Sequence, residues 1–151
     1  MKAHRPTLAA LGTRAAEKPA RYRVKAPGRE PGTLVDLGDR SVQFAAIAPL
    51  AQRVGATPEA LLALVGIAPR TAARRRAERF LKPEEADRVL RVARLLEEAA
   101  RVFGGHARAS AWLGTRHPLL GGDTPLSLLG SDAGAKAVAD ELVRIDFGDF
   151  A

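Results

Sequence analysis

The sequence contains no cysteine, which excludes disulfide bonds and every metal site built on thiolates. Aromatic residues are also few, at 5% of the 151 residues, with one tryptophan and one tyrosine. No run approaches the roughly 18 consecutive apolar residues of a membrane span, and the first residues do not resemble a secretory signal. We therefore expect a cytoplasmic protein with no membrane partner, whose fold rests on its hydrophobic core.

Positive charge is in excess and unevenly distributed. The formal net charge is +7. Residues 1–40 hold nine basic and four acidic residues, residues 41–105 hold eleven and seven, and residues 106–151 hold four and six. The basic part predicts an anionic partner such as nucleic acid, and the acidic end predicts a second surface for a different partner.

The pattern of the chain predicts an all-α fold in three parts. Residues 1–40 place four prolines among scattered Arg and Lys, which predicts a basic, flexible leader. Residues 41–105 show helical spacing of apolar residues, interrupted by Pro49, which we expect to kink or split the first helix. Residues 106–151 predict short helices joined by Gly and Pro corners, forming a small module that packs against the preceding long helix.

Two successive helix starts within residues 41–105 predict a helix-turn-helix motif. Thr57 and Pro58 suit the N-cap and the first helical position, and Gly66 ends this short helix. The next helix is rich in arginine, and we predict that it contacts double-stranded DNA; the alternative is a merely solvated cationic face. The predicted contact residues are Arg70, Arg74, Arg75, Arg76 and Arg79.

The longest predicted helix follows, from Pro83 to the glycine pair Gly104 and Gly105. Its apolar residues step by 4, 3, 4 and 3, a seam that suits packing against another helix within the chain or across a dimer axis. From this seam we predict a homodimer, whose symmetry would match a palindromic operator. The seam consists of Val89, Ala93, Leu96, Ala100 and Phe103.

No set of residues predicts catalysis, a cofactor or a metal ion. The residue types of a catalytic nucleophile set are present in Ser110, His106 and Asp123. No nucleophile-elbow pattern surrounds the serine, so we do not predict catalysis by them. The histidines are scattered, without an i, i+4 pair or a neighbouring carboxylate motif. The lone Trp112 is expected in the core. We therefore predict a protein that is not an enzyme.

Three segments resemble one protein family in order and spacing. "WLGTRHPLLGGDTPLSLL" (residues 112–129) and "GAKAVADELVRIDFG" (residues 134–148) resemble the toxin-binding domain of Xre/MbcA/ParS-type antitoxins. Upstream, "LVGIAPRTAARRR" (residues 64–76) resembles that family's Xre-like helix-turn-helix. The resemblance covers roughly residues 42–151, and the first forty residues are not part of it.

The resemblance implies a function. Such antitoxins are usually encoded beside a RES-domain toxin, an enzyme that consumes NAD; the antitoxin covers the nucleotide pocket, and its helix-turn-helix represses the shared promoter. On this sequence the resemblance adds Thr71 to the DNA-facing positions. It also makes the last helix and tail the toxin-binding surface, through Arg144, Ile145, Phe147, Gly148 and Phe150.

The acidic end of the chain suggests a role in the same interface. We expect its carboxylates to meet the basic groups with which a toxin binds the phosphates of NAD. These residues are Asp140, Glu141, Asp146 and Asp149. The alternative function is a stand-alone homodimeric helix-turn-helix transcriptional regulator whose C-terminal module only dimerises, with no toxin partner.

Overall fold

A computed structural model describes residues 41–148. The described chain is helical and contains no strand; an isolated antiparallel bridge joins Gln43 and Phe80. This confirms the predicted all-α fold, while the predicted leader lies outside the described residues. In chain order the helices are α1 (Ile47–Val54), α2 (Pro58–Leu64), α3 (Pro69–Glu78), α4 (Pro83–Phe103), α5 (His106–Leu113), α6 (Pro125–Leu128) and α7 (Asp132–Asp146). Two 3-10 turns, Phe44–Ala46 and Pro118–Leu120, precede α1 and α6.

Helix starts follow the predicted side-chain caps. The Thr57 hydroxyl oxygen accepts a hydrogen bond from the Ala60 backbone N–H at 3.1 Å, and the Thr124 hydroxyl accepts one from Ser127 at 3.2 Å. Each threonine precedes a proline in the first helical position, where a missing N–H costs no hydrogen bond. Pro49 lies in the first turn of α1 for the same reason, so the predicted interruption is a split between a 3-10 turn and α1.

Helix α4 is the centre of the core, and it packs against α1, α5 and α7. Its buried apolar residues form one cluster with residues from every longer helix around it. The predicted dimer seam lies in this cluster. Val89 is 2% exposed and Leu96 is fully buried, while Ala93 and Phe103 are partly buried against the same core.

The structure contradicts a dimer interface at Val89 and Leu96, because other helices of the same chain cover them, whereas Ala93 and Phe103 are only partly covered. The 4, 3, 4, 3 spacing is found in any helix that buries one stripe of apolar residues. Here that stripe packs against other helices of the same chain. Homodimerisation stays a prediction, and Val89 and Leu96 are not part of its surface.

The helix-turn-helix and the C-terminal helices touch directly. At Gly130, just after α6, a side-chain Cβ would lie 2.8 Å from the backbone carbonyl oxygen of Leu64 at the end of α2. A side chain at this distance would clash with the carbonyl group, so the close approach of the two backbones depends on glycine at this position. Within residues 41–148, no helix is both long and apolar enough to cross a membrane.

The core position of Leu96 makes a stability prediction. Leu96→Ala removes a fully buried side chain, and we expect the free energy of unfolding to fall by about 2–5 kcal/mol. Urea titration followed by Trp112 fluorescence measures it. The control is Leu119→Ala, because Leu119 is 63% exposed and its loss should change stability by less than about 0.5 kcal/mol. Unchanged stability of the Leu96 variant, with loss of a dimer only, would contradict the core assignment.

Candidate functional site

The α2–turn–α3 unit presents a basic helix face to solvent. Gly66 adopts a left-handed conformation with φ of 71°, which ends α2 and allows the tight turn before Pro69 opens α3. On α3, Arg70 and Arg74 are exposed and stand four residues apart, so they lie on one face of the helix. Thr71 is partly buried beside them. This face can approach an extended polyanion.

Four arginines of this region have no ion-pair partner among the described residues: Arg70, Arg74, Arg76 and Arg79. The first turn of α3 contains no acidic residue, whereas α4 begins with Glu84 and Glu85. A cation near a helix N-terminus opposes the helix dipole, so Arg70 gains no local stabilisation there. The N-terminal end of α3 therefore carries basic side chains whose N–H groups have no partner in the chain, and such groups can bind phosphate.

Arg79 is held in a conformation that few side chains adopt. Its φ of 69° makes it the one non-glycine residue with positive φ among those described. Its carbonyl accepts the Phe44 N–H at 2.9 Å, which ties the end of α3 to the turn before α1. Glycine would fit this position with less strain. The neighbouring Arg76 is exposed, with its guanidinium 5.4 Å from the centre of the Phe44 ring.

Arg75 does not belong to this face, and its predicted DNA contact was wrong. Its side chain is 2% exposed, and its Nε donates a hydrogen bond to Glu85 Oε2 at 2.7 Å. Its Nη1 donates to Glu78 Oε2 at 2.6 Å. The physical reason is that, apart from Pro69 at its start, α3 has no apolar side chain larger than alanine, so a long arginine stem fills the space under the helix.

The surroundings of this ion pair favour its charged form. The hydrogen bond to Glu85 raises the pKa of Arg75 against the effect of burial. Burial raises the pKa of Glu85, but hydrogen bonds from Arg75 and the Lys82 N–H, with the charges of Arg75 and Arg88, bring it below its usual value. Both groups therefore remain ionised at neutral pH.

In the C-terminal module, aromatic rings support the loop between α5 and α6. The Trp112 ring lies 5.2 Å from the Phe103 ring and 5.1 Å from the His117 ring, measured between centroids. Trp112 packs against the core while partly exposed. Its Nε1 and the Nε2 of His117 are enclosed and have no hydrogen-bond partner among the described residues. The cluster supports the surface formed by α7 and the turn Pro118–Leu120, which are in contact.

Large apolar side chains are exposed on this surface. Phe147 is 82% exposed and Val143 is 45% exposed, both at the C-terminal end of α7, and Leu119 of the contacting turn is 63% exposed. Among the other predicted positions, Gly148 is exposed, Ile145 and Arg144 are partly buried, and Phe150 lies outside the described residues. Sequence reasoning missed Val143 and Leu119. Val143 could have been found from its position, because it is an apolar residue that lies beside the buried stripe of Val138 and Leu142 and must therefore face solvent.

The predicted acidic residues are engaged within the chain. Asp140 pairs with Lys136 at 2.6 Å, and Asp146 pairs with Arg101 at 2.9 Å. Glu141 is only 9% exposed and forms two hydrogen bonds with Arg144, so its assignment to an open acidic surface was wrong. It lies on the inner side of α7, beside the buried Leu142, and Asp149 lies outside the described residues.

The comparisons with known proteins match these two regions separately. A model of the antitoxin Xre-like helix-turn-helix domain matches residues 34–94. A model of the antitoxin Xre/MbcA/ParS C-terminal toxin-binding domain matches residues 98–148. A curated relative, the antitoxin Xre of Yersinia enterocolitica, is 38% identical over 93 residues, which are 60% of this chain. The match spans 62% of the length of that relative.

The Glu141–Arg144 pair predicts a pH dependence of stability. The hydrogen bond from Arg144 lowers the pKa of Glu141 against the effect of burial, and the charges of Arg144 and His117 lower it further. A lowered folded-state pKa stabilises the fold above the unfolded value, about 4.3, and this stabilisation is lost as pH falls through the folded pKa. We expect the difference in unfolding free energy between wild type and Glu141→Gln to shrink between pH 6 and pH 3. A difference independent of pH contradicts this.

Proposed function

Because the chain belongs to the family of Xre/MbcA/ParS-type antitoxins, we propose that it neutralises a RES-domain toxin and represses its own operon. In this proposal the C-terminal module covers the toxin's NAD-binding pocket, and α3 binds double-stranded operator DNA. The observation that carries it is the separation of two chemically different surfaces, unpaired arginines on α3 and exposed apolar side chains at the end of α7. The role requires no catalytic group from this chain.

The DNA surface consists of exposed, unpaired guanidinium groups on one helix. Arg70 and Arg74 follow the turn from α2, as in a recognition helix whose first residues reach base edges. Arg79 and Arg76, at the other end of α3, are better placed for phosphates. The exposed Ala73 and Ala77 lie on the same side as Arg70 and Arg74, and their small size lets the helix backbone approach the groove closely.

The toxin surface is proposed to be apolar at its centre. Three of the four large apolar residues exposed in the described chain lie within the matched toxin-binding domain: Leu119, Val143 and Phe147. Exposed side chains of this kind mark protein contacts when they cluster on one face. The carboxylates Asp140 and Asp146 are already paired with Lys136 and Arg101, so in this proposal they border the contact and orient it.

Removal of one guanidinium should change DNA binding in a measurable way. We expect Arg74→Ala to weaken binding to a duplex from upstream of this gene and to reduce the slope of log affinity against log salt by about 0.9. Fluorescence anisotropy at several salt concentrations measures both. Arg94→Ala is the matched control, because it removes the same charge from an exposed position on α4. Equal slopes for wild type and the Arg74 variant would place the DNA surface elsewhere.

A charge placed at the end of α7 should prevent neutralisation. We expect Phe147→Asp to weaken toxin binding by at least about 30-fold, the scale of an interface hot spot. The assay co-expresses the neighbouring toxin gene and measures co-purification and cellular NAD. Phe80→Asp is the control, since Phe80 is 44% exposed and lies outside the matched toxin-binding domain. Normal neutralisation by the Phe147 variant would refute this surface, and a harmless neighbouring gene product would favour the stand-alone regulator.

A further inference from the structure

Helix α3 is held in place by unusually little apolar surface. Its sequence from Pro69 to Glu78 contains no apolar side chain larger than alanine apart from the proline, and it buries only Ala72 and Arg75. It packs against α2 and the turn Phe44–Ala46, both of which contribute to the core. Burial of one alanine stabilises little, because apolar stabilisation scales with the area removed from water. The orientation of α3 therefore depends on the remaining buried group.

That group is the Arg75 guanidinium, which joins α3 to the first turn of α4. Glu85 Oε2 accepts a hydrogen bond from Arg75 Nε at 2.7 Å and another from the Lys82 backbone N–H at 2.9 Å. Lys82 is the N-cap of α4 and Glu85 occupies its third position, so the carboxylate is fixed by the helix start. Arg75 Nη1 donates a hydrogen bond to Glu78 on its own helix. The two carboxylates together fix the orientation of the planar guanidinium.

Both ends of this contact are defined. Glu85 is 8% exposed, and it lies one residue before the fully buried Ala86 of α4. Arg74 and Arg76, on either side of Arg75, are exposed, so a rotation of α3 that freed Arg75 would also move the exposed guanidinium groups. Buried ion pairs contribute little net stability, but they impose a specific geometry where one partner is fixed.

We propose that Arg75 is a positioning residue of the DNA surface: through Glu85 it sets the rotation of α3 and thereby the placement of Arg70 and Arg74. This inference rests on the proposed DNA-binding function for its effect on affinity, while its effect on α3 itself is independent of DNA. Arg75 makes no phosphate contact, because its guanidinium is enclosed by protein. Its loss therefore alters recognition of sequence more than electrostatic attraction.

The experiment compares Arg75→Met, Arg75→Lys and Arg74→Ala in the full chain. Two duplexes serve as probes, the region upstream of this gene and a scrambled sequence of equal length and composition. Arg75→Met keeps the length of the stem without the charge. Arg75→Lys keeps the charge and can bond Glu85, but it cannot also fork to Glu78, and it carries the test if the methionine variant does not fold. Amide hydrogen exchange of the free protein reports on α3 and α7 separately.

For both Arg75 variants we expect the preference for the upstream duplex over the scrambled one to fall roughly tenfold, with an unchanged salt slope. We also expect α3 amides to exchange faster while α7 amides do not change. Arg74→Ala should instead reduce the slope by about 0.9 and leave α3 exchange as in wild type. The contrast separates a residue that touches DNA from one that places the helix.

Three results overturn the proposal: a reduced salt slope in the Arg75 variants, an unchanged preference between the duplexes, or unchanged exchange of α3. If the wild type itself does not prefer the upstream duplex, the proposed operator binding fails. Hydrogen exchange then decides the positioning role alone, since faster α3 exchange upholds it and unchanged exchange rejects it.

Discussion

Burial of α4 is the constraint on which the rest of the structure depends. A chain without disulfides has only its core to hold its helices together, and α4 contacts α1, α5 and α7. Its residues Val92, Leu96 and Ala99 are fully buried in a cluster that extends into both modules. The helix-turn-helix and the toxin-binding helices therefore share one core, and neither can lose its contact with α4 without exposing apolar surface.

This shared core determines where functional groups can lie. Side chains that pack on α4 are unavailable for partners, so each surface consists of what faces away from it: the arginines of α3 on one module and Val143 and Phe147 on the other. The direct contact between Gly130 and the Leu64 carbonyl holds the two modules at a short distance. The arginines of α3 and the apolar side chains at the end of α7 are therefore carried by one shared core. Under the proposed function, a toxin bound to α7 would have a defined position relative to DNA bound to α3.

Local chemistry was predictable from sequence, whereas the choice among equivalent faces was not. Thr57 and Thr124 form caps because a threonine oxygen followed by proline satisfies backbone groups within a single turn. The seam of α4 has the same spacing whether its partner is another helix of this chain or a second copy, and only the packed fold assigned Val89 and Leu96 to the core. The order of segments in the C-terminal domain carried enough information to identify the family, since it depends on sequence pattern alone.

Arg75 shows why counts of charge do not locate a nucleic-acid surface. Five arginines lie between residues 70 and 79, and their i, i+4 spacing suggests two equal stripes. One side of α3 must face the core, because a helix in contact with its neighbours buries one side, and α3 has no large apolar residue for it; Arg75 fills that side, while Arg79 is exposed. Glu85 lies ten residues further on, at the third position of α4. Its carboxylate offsets the desolvation cost of burying the Arg75 guanidinium. Because α3 is composed of small and basic residues, Arg75 fills its inward side while its other arginines face outward.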